Sequence, residues 1–414
     1  MQYIQIPGES QETSELISTK KALVGGAYIV TGKTLAFLAS FAVVTVLGRF
    51  VPRNVAGSYN FIVAALTIIS ITTLPGMSNA MTRAVARGHT GSVWPMLRKR
   101  LLWGLIGSGI CATIATVFWV KGNHTLGLAF LITAPFVPLT DTFSNFTFSF
   151  WQGKKRFDKN ALTFVIYYFG LALLSIPVFI LSDNLLVIVA CIMVIQTIMG
   201  LLVYTTVKKE AVGTHDLSSE KLGMHLTVMQ IFRIISANAD RVIAWYLLGP
   251  IPTAIYTFAA TPVIKAYQLL PIGAVSLPHL STHEFTVETK RTVAKKSMLL
   301  FFITLPIVLC GIILAPFLYK LFFPHYPESV LYFQILIATL LFSPILLIDA
   351  ALVAFHKTKT LYVTETVSPI VKIILMIIGG SISGLIGMTI GIFIATCFDF
   401  LLTLIMFYQT KTVQ

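Results

Sequence analysis

Five basic side chains lie inside apolar segments that are long enough to cross a lipid bilayer. A cation in hydrocarbon costs about 2.5–3.5 kcal/mol on insertion scales, so such a residue persists where it faces water or an anion. Ammonium and guanidinium groups donate charge-assisted hydrogen bonds to phosphate or carboxylate oxygens. A positively lined cavity that carries an anionic solute is therefore predicted from Lys33, Arg233, Arg241, Lys265 and Lys372.

Carboxylates in the same segments offer a second interpretation, in which ion pairs neutralise the cations. Asp240 could pair with Arg233 or Arg241, and Glu365 could pair with Lys372. Buried charges are usually paired, so this alternative stays open for any single residue.

The pattern nevertheless favours a surplus of positive charge at the centre of the membrane. Lys33 and Lys265 have no acid on their own predicted helices. The acids that could reach them from other helices fall toward the predicted cytoplasmic half, and they are Asp141, Asp349, Glu365 and Asp399. We therefore expect a cationic midplane.

Composition places the chain in a membrane. Hydrophobic residues make up 56% of its 414 residues and charged residues 11%, with a mean hydropathy of +0.85, whereas soluble domains carry about 25% charged residues. The net charge of +14 would indicate a nucleic-acid partner if the basic residues formed one face. The basic residues instead lie mostly in short segments between apolar runs, so nucleic-acid binding is not expected.

Apolar runs of about 17–25 residues predict twelve transmembrane helices, which makes the chain an all-α polytopic membrane protein. The predicted spans are 22–48, 55–77, 95–120, 124–150, 159–181, 185–207, 222–248, 251–276, 295–319, 329–354, 361–379 and 383–408.

The loops between these spans predict the orientation. Of 30 lysines and arginines, 21 lie before the first span, in the even-numbered loops or after the last span, among them Arg98, Lys99 and Arg100, and four lie on the opposite side. Basic residues in short loops stay in the cytoplasm. Both termini are therefore expected in the cytoplasm of a cell with this protein in its inner or plasma membrane. We expect no cleaved signal peptide, because the first 21 residues contain no continuous apolar core.

Nucleotide and metal chemistry are not expected. Gly32-Lys33-Thr34 resembles the end of a phosphate-binding P-loop, but Ala27 stands where that motif has its first glycine. The segment also lies within a predicted span, not between a strand and a helix. The four cysteines fall in four different spans without metal-ligand spacing. No cofactor is predicted.

The two halves of the chain resemble each other. Leu47–Pro52 is similar to Leu248–Pro252, and Phe150–Lys155 is similar to Ala354–Lys359, at offsets of about 197 to 204 residues. Repeats of six helices have the same topology and are parallel. The expected organisation is a cytoplasmic tail (1–21), a first lobe (22–207), a cytoplasmic linker (208–221), a second lobe (222–408) and a tail (409–414).

Short motifs, taken in order, resemble the Wzx-type polysaccharide flippases of the multidrug, oligosaccharidyl-lipid and polysaccharide exporter superfamily. The resemblance covers the chain from about residue 20 to 410. It rests on Arg49, Gly57 and Tyr59, on Pro75–Arg83, on Gln152–Lys154, on Asp240-Arg241 and on Phe355–Lys359.

This resemblance implies a V-shaped pair of lobes around a central cavity. It implies that an undecaprenyl-diphosphate-linked oligosaccharide moves from the cytoplasmic to the outer leaflet by alternating access, with membrane lipids and a polysaccharide polymerase as partners. The five cations would bind the diphosphate. Some superfamily relatives bind cations between the seventh, eleventh and twelfth helices, which implies Asp240 and Asp399 as candidates for coupling to an ion gradient.

Two other classes stay open. A drug/cation antiporter of the same superfamily would share the fold, although a cationic drug fits poorly with a positive midplane. A membrane-bound glycosyltransferase or ligase generally needs a large extramembrane loop or a convergent acid/base site. The longest loops, around 208–221 and 277–294, are short and lack paired carboxylates.

Overall fold

The structure, a computed structural model, describes the backbone of residues 9–269, 286–355 and 358–410, and the side chains of residue 28 and of residues 31–267, 286–355 and 360–410. Every regular element within these ranges is a helix, as the all-α class predicts. The helices are α1 (Glu9–Phe50), α2 (Arg53–Ile69), α3 (Gly76–Ala86), α4 (Val93–Val120), α5 (His124–Thr133), α6 (Thr142–Gly153), α7 (Phe157–Leu181), α8 (Leu185–Lys208), α9 (Leu217–Leu248), α10 (Pro250–Leu269), α11 (Val287–Phe322), α12 (Ser329–Ile337), α13 (Ile345–Ala354) and α14 (Thr358–Gln409).

In the described part of the chain, eight helical segments are long and apolar enough to cross a membrane. They are Thr31–Phe50, Arg53–Thr73, Thr90–Val120, Phe157–Leu181, Leu185–Lys208, Val287–Phe322, Ser329–Ala354 and Thr360–Gln409. The protein is thus a multi-pass membrane protein, while the count of twelve spans stays a prediction.

The difference between eight and twelve has identifiable causes. The predicted fourth span is divided into the short helices α5 and α6. The helices α9 and α10 are less apolar because they carry charged residues such as Arg233, Asp240 and Lys265. The last two predicted spans are the two helical parts of α14, which are separated by non-helical residues at Ser383 and Gly384 and pack back on each other, but they are counted as one segment. At the other end of the chain, α1 begins 13 residues before the predicted first span.

Two predicted spans contain a break with a left-handed residue. Leu74 has a φ of 56° and is followed by Pro75 at the beginning of α3. Asp141 has a φ of 59° and immediately precedes α6. Residues other than glycine rarely adopt a positive φ, so contacts elsewhere in the bundle must hold both turns.

A buried arginine holds the first break. Arg100 of α4 is 1% exposed. Its Nε donates to the carbonyl oxygen of Thr73 at 2.7 Å, and its Nη1 donates to Ser78 Oγ at 3.1 Å. Its guanidinium carbon lies 5.2 Å from the centroid of the Phe146 ring of α6. The assignment of Arg100 to a loop was wrong, because α4 already begins at Val93.

Helix α9 connects the two halves of the chain by packing against both α3 and α2. The backbone N–H of Gly76 donates to Thr227 Oγ1 at 3.1 Å, and Gly223 lies against Met77. Gly57 of α2 lies so close to the carbonyl group of Pro250 that no Cβ would fit there. The halves therefore approach each other at backbone distance.

Ion pairs reinforce these contacts at both ends of the bundle. At the far end, which carries residues 49–53 and 323–328, Arg53 pairs with Glu328 at 2.5 Å. At the linker end, which carries residues 209–216, Lys99 pairs with Glu220 at 2.6 Å.

The linker itself is fastened to the N-terminal half. Lys154 and Lys159 each donate to a carboxylate oxygen of Glu210 at 2.7 Å. These hydrogen bonds hold the pKa of Glu210 below its usual range. A lowered folded-state pKa means that the contact stabilises the fold above the ordinary pKa of a glutamate, and that this stability is lost as the pH falls through the lowered value.

Helix α1 lies between the halves. It packs along α7, where Gly32 faces Ala161, and it also contacts α10 and α11. At the far end Gly48 lies against Phe258 and Phe323. A helix that touches both halves places its polar residues at the boundary between them.

We predict that Arg100→Met lowers the free energy of unfolding by about 2–4 kcal/mol, because it removes hydrogen bonds from a charged donor and leaves the Thr73 carbonyl unsatisfied. The thermal unfolding midpoint of the purified protein in detergent measures this. Arg98→Met is the matched control, since Arg98 is exposed on the same helix, and its midpoint should not change. Equal midpoints for the two variants would contradict the role of Arg100.

Candidate functional site

Two of the predicted cations line one cavity of about 320 Å³. This bridging cavity lies between α1, α7 and α10 and is lined by Lys33, Ala36, Phe37, Ser40, Phe164, Tyr168 and Lys265. Lys265 Nζ donates to Ser40 Oγ at 3.0 Å, and the Ser40 hydroxyl in turn donates to the carbonyl oxygen of Phe37 at 2.9 Å. Lys33 is exposed. The described lining thus carries two ammonium groups and no carboxylate.

A second cavity of about 230 Å³ adjoins the first, because Lys33 and Phe164 line both. We call it the amide cavity, since the side chains around Lys33 are mostly carboxamides and hydroxyls. Its further lining residues are Gly32, Ser78, Asn145, Phe148, Ser149, Gln152, Asn160 and Ala161.

The third cavity, of about 310 Å³, lies within the C-terminal half between α9, α13 and α14. We call it the carboxylate cavity. Its charged residues are Arg233, Asp349, Glu365, Lys372 and Asp399. Lys372 Nζ donates to the carbonyl oxygen of Ser236 at 3.2 Å. Neither cation is within ion-pairing distance of a carboxylate in the part of the chain that the structure describes.

The carboxylate cavity changes the charge distribution expected from the sequence. Asp349, Glu365 and Asp399 line the same space as Arg233 and Lys372, so three acids accompany two bases. The sequence prediction placed these acids toward the cytoplasmic half, away from the two bases. It used the position of each residue along its own helix, which does not show how α13 and the two parts of α14 converge. The positive surplus therefore belongs to the bridging cavity, where Lys33 and Lys265 lie.

Asp240 and Arg241 lie apart from the three cavities. Asp240 is 3% exposed, and one of its carboxylate oxygens accepts a hydrogen bond from the Tyr256 hydroxyl at 2.7 Å. Its other oxygen accepts from the backbone N–H of Arg241 at 2.8 Å. The two coupling candidates, Asp240 and Asp399, are therefore in different surroundings, and Asp240 forms its contacts with a tyrosine and the backbone.

The structure thus divides the five predicted cations. Lys33 and Lys265 share the bridging cavity, Arg233 and Lys372 share the carboxylate cavity, and Arg241 lines none of the three. Their role in substrate binding stays a prediction.

The amide cavity was not predicted from the sequence, although the sequence contains a signal for it. Asn145, Ser149 and Gln152 follow the i, i+4, i+7 spacing that places side chains on one face of a helix. Asn160 lies on α7, and only the packing of α7 against α6 brings it to the same cavity.

Comparison with protein families identifies a polysaccharide biosynthesis protein family over residues 22–284. A comparison with curated proteins finds no match.

Solved structures share the fold. An inward-facing multidrug resistance MATE family transporter of the MOP superfamily aligns with a TM-score of 0.69 and 13% identity over 90% of this chain and 94% of that one. The lipid II flippase MurJ, in an inward closed conformation, has a TM-score of 0.68 and 16% identity over 92% and 87% of the two chains. A MOP superfamily transporter from Pyrococcus furiosus, described as having a binding pocket of reverse polarity, has a TM-score of 0.60 and 15% identity over 94% and 97%.

At these identities the solved structures establish the fold, and the family match, which covers more than half of the chain, establishes the relationship. The chain belongs to the polysaccharide biosynthesis protein family, as its motifs predicted, and has the fold of MOP-superfamily transporters.

Proposed function

We propose that the protein is a flippase that moves an undecaprenyl-diphosphate-linked oligosaccharide from the cytoplasmic to the outer leaflet of the cell membrane. The observation that carries this proposal is the bridging cavity. Lys33 and Lys265 both line it, and no carboxylate is among its described lining residues. Both termini would lie in the cytoplasm, and a polysaccharide polymerase would use the product outside.

The electrostatics of the bridging cavity favour a diphosphate. Two cations without a counterion repel each other in the low-dielectric interior of a membrane protein. A bound anionic ligand offsets this electrostatic repulsion. Lys265 uses one of its three ammonium donors on Ser40, which leaves donors for a ligand. Lys33, with its exposed side chain, supplies a second set.

The surroundings of the cavity suit the lipid part of such a substrate. On α1, close to Lys33, the side chains of Leu35 and Leu38 are exposed. Exposed apolar side chains next to a polar cavity let a prenyl chain stay in hydrocarbon while its diphosphate is bound. A soluble anion has no apolar chain that could contact these side chains.

The drug/cation antiporter is the second candidate, and the carboxylate cavity favours it. Asp349, Glu365 and Asp399 could attract an organic cation, although Arg233 and Lys372 line the same space. The two lysines of the bridging cavity would repel a cationic drug on its way across. The glycosyltransferase or ligase alternative receives no support, because the structural relatives reported above are transporters or flippases.

We further propose that transport is coupled to an ion gradient through the carboxylate cavity. Carboxylates close together repel, and a bound proton or metal cation relieves that repulsion. Asp399 has Asp349 and Glu365 in the same cavity. Asp240 remains a candidate of a different kind, since its contact with Tyr256 would have to rearrange before it could bind an ion.

Alternating access requires the contacts at the two ends to open in turn. The far end is held by Arg53 with Glu328, and the linker end by Lys99 with Glu220. We propose that rocking of the two halves separates one set of contacts while the other is kept.

We predict that Lys33→Gln and Lys265→Gln each weaken binding of undecaprenyl diphosphate by about 10–100-fold, because each removes charge-assisted hydrogen bonds to the phosphates. Binding to the purified protein in nanodiscs measures this, and flipping in proteoliposomes should fall in parallel. Lys121→Gln, an exposed lysine after α4, is the matched control and should bind as the wild type does.

The same variants separate the two candidate functions. A flippase loses lipid binding when the lysines are neutralised, whereas an antiporter gains uptake of a cationic dye such as ethidium. Lysine variants that bind the prenyl diphosphate normally and take up ethidium faster would refute the flippase proposal.

We predict that Asp399→Asn removes the response of flipping to an imposed proton or sodium gradient while leaving exchange without a gradient intact. The amide cannot exchange a proton and binds a cation weakly, which is the physical basis of the expectation. Flipping rates in proteoliposomes with and without each gradient measure it. Asp183→Asn, which changes an exposed residue between α7 and α8, is the control. A wild-type rate that ignores both gradients would remove ion coupling and leave diffusion driven by consumption of the product.

A further inference from the structure

The amide cavity has a composition unlike that of either neighbouring cavity. Asn145 and Gln152 direct carboxamides toward it, Ser149 adds a hydroxyl, and Phe148 and Phe164 add rings. Lys33 is the one charged residue of its described lining. Carboxamides and hydroxyls both donate and accept hydrogen bonds without carrying charge, so this lining matches a neutral ligand with many hydroxyl or amide groups.

The carboxamides are available to such a ligand. Asn145 and Gln152 are two helical turns apart on the same face of α6, and both are exposed. Neither side-chain carboxamide forms a hydrogen bond with another residue in the described part of the chain. Asn160, by contrast, donates its Nδ2–H to the carbonyl oxygen of Phe148 at 3.1 Å, which ties α7 to α6 and fixes the wall of the cavity.

Aromatic rings complete the wall. The Phe148 and Phe164 rings stack with their centroids 3.9 Å apart, and Phe164 also lines the bridging cavity. Amphipathic sugar rings use apolar C–H faces against aromatic side chains and hydroxyls against amides. The cavity offers both kinds of contact within one small space.

The repeat of the chain shows that this composition differs between the halves. Asn145 lies 204 residues before Asp349, the same offset that relates Phe150–Lys155 to Ala354–Lys359. The two residues line the amide cavity and the carboxylate cavity respectively. At corresponding positions the N-terminal half therefore has a neutral carboxamide where the C-terminal half has an acid.

We propose that the amide cavity binds the sugar ring attached directly to the diphosphate, and that this ring is an uncharged pyranose with hydroxyl or acetamido groups. The proposal rests on the flippase function proposed above. A diphosphate held by Lys33 and Lys265 in the bridging cavity places its next covalent neighbour at the amide cavity, because Lys33 lines both. The volume of about 230 Å³ is below the roughly 300–1,000 Å³ of pockets for drug-sized ligands and suits a single ring.

Two lipid probes test this inference with the full-length protein in nanodiscs. One is undecaprenyl diphosphate and the other is undecaprenyl-diphosphate-N-acetylglucosamine. The variants Asn145→Leu and Gln152→Met keep side chains of similar length and remove the hydrogen-bonding groups. Each should weaken binding of the sugar-bearing probe by roughly 3–10-fold and change binding of the bare diphosphate by less than twofold. Asn54→Ala, an exposed carboxamide near the beginning of α2, is the matched control and should affect neither probe.

The outcomes separate this inference from the proposed function. If the variants weaken both probes equally or weaken neither, the amide cavity is not a sugar subsite, although the flippase proposal stands as long as the wild type binds the lipids. If the wild type binds neither probe, the flippase proposal fails, and the subsite fails with it. Asn145→Gln, which restores a carboxamide, should recover part of the sugar-dependent affinity if hydrogen bonding to the ring is the cause.

Discussion

The cost of a charge in a low-dielectric interior governs the arrangement of this protein. Three charges in the apolar helices have specific polar contacts: Lys265 with Ser40, Lys372 with the carbonyl of Ser236, and Asp240 with Tyr256. None of these contacts is a salt bridge, and none of them neutralises its charge. The helices therefore surround cavities in which charge is stabilised by hydrogen bonds and by access to water or ligand.

The same constraint explains the breaks in the helices. A break in a helix leaves backbone carbonyl groups without an intrahelical N–H partner, and these carbonyl groups can accept hydrogen bonds from a buried cation. The break after Thr73 exposes a carbonyl group, and Arg100 donates to it. The turn at Asp141 begins α6 with a new direction and turns the face of Asn145 and Gln152 toward α1 and α7. The first break and the amide cavity are therefore linked. Arg100 donates to the Thr73 carbonyl freed by the break and also to Ser78, which lines the amide cavity.

Divergence between the halves gives their cavities different chemistry. In the N-terminal half the cavity carries carboxamides, hydroxyls and a single lysine, whereas in the C-terminal half it carries three carboxyl groups and two bases. A neutral polar lining discriminates between ligands by hydrogen-bond geometry, and a lining of mixed charge responds to protons and cations. Under the proposed function, such a division would let one half recognise a headgroup while the other responds to an ion. Helix α9, which packs against α2 and α3, provides contact between the two halves.

Much of the fold followed from the sequence alone, because hydrophobic length and the avoidance of charge are local properties of a membrane helix. Apolar runs predicted the all-α class, the motifs predicted the family, and isolated bases such as Lys33 and Lys265 marked polar positions before any helix was placed. The grouping of those bases was decided only by tertiary structure. Lys33 and Lys265 are 232 residues apart and share a cavity because α1 crosses to the C-terminal half. Arg100 was predicted in a loop, but α4 begins before it and places it in the interior. Asp399 lines the same cavity as Arg233 because the second part of α14 packs back on the first after the break at Ser383 and Gly384. Spacing along the chain identifies which side chains share a helix face, but the angles and breaks that bring two faces together depend on packing between distant segments.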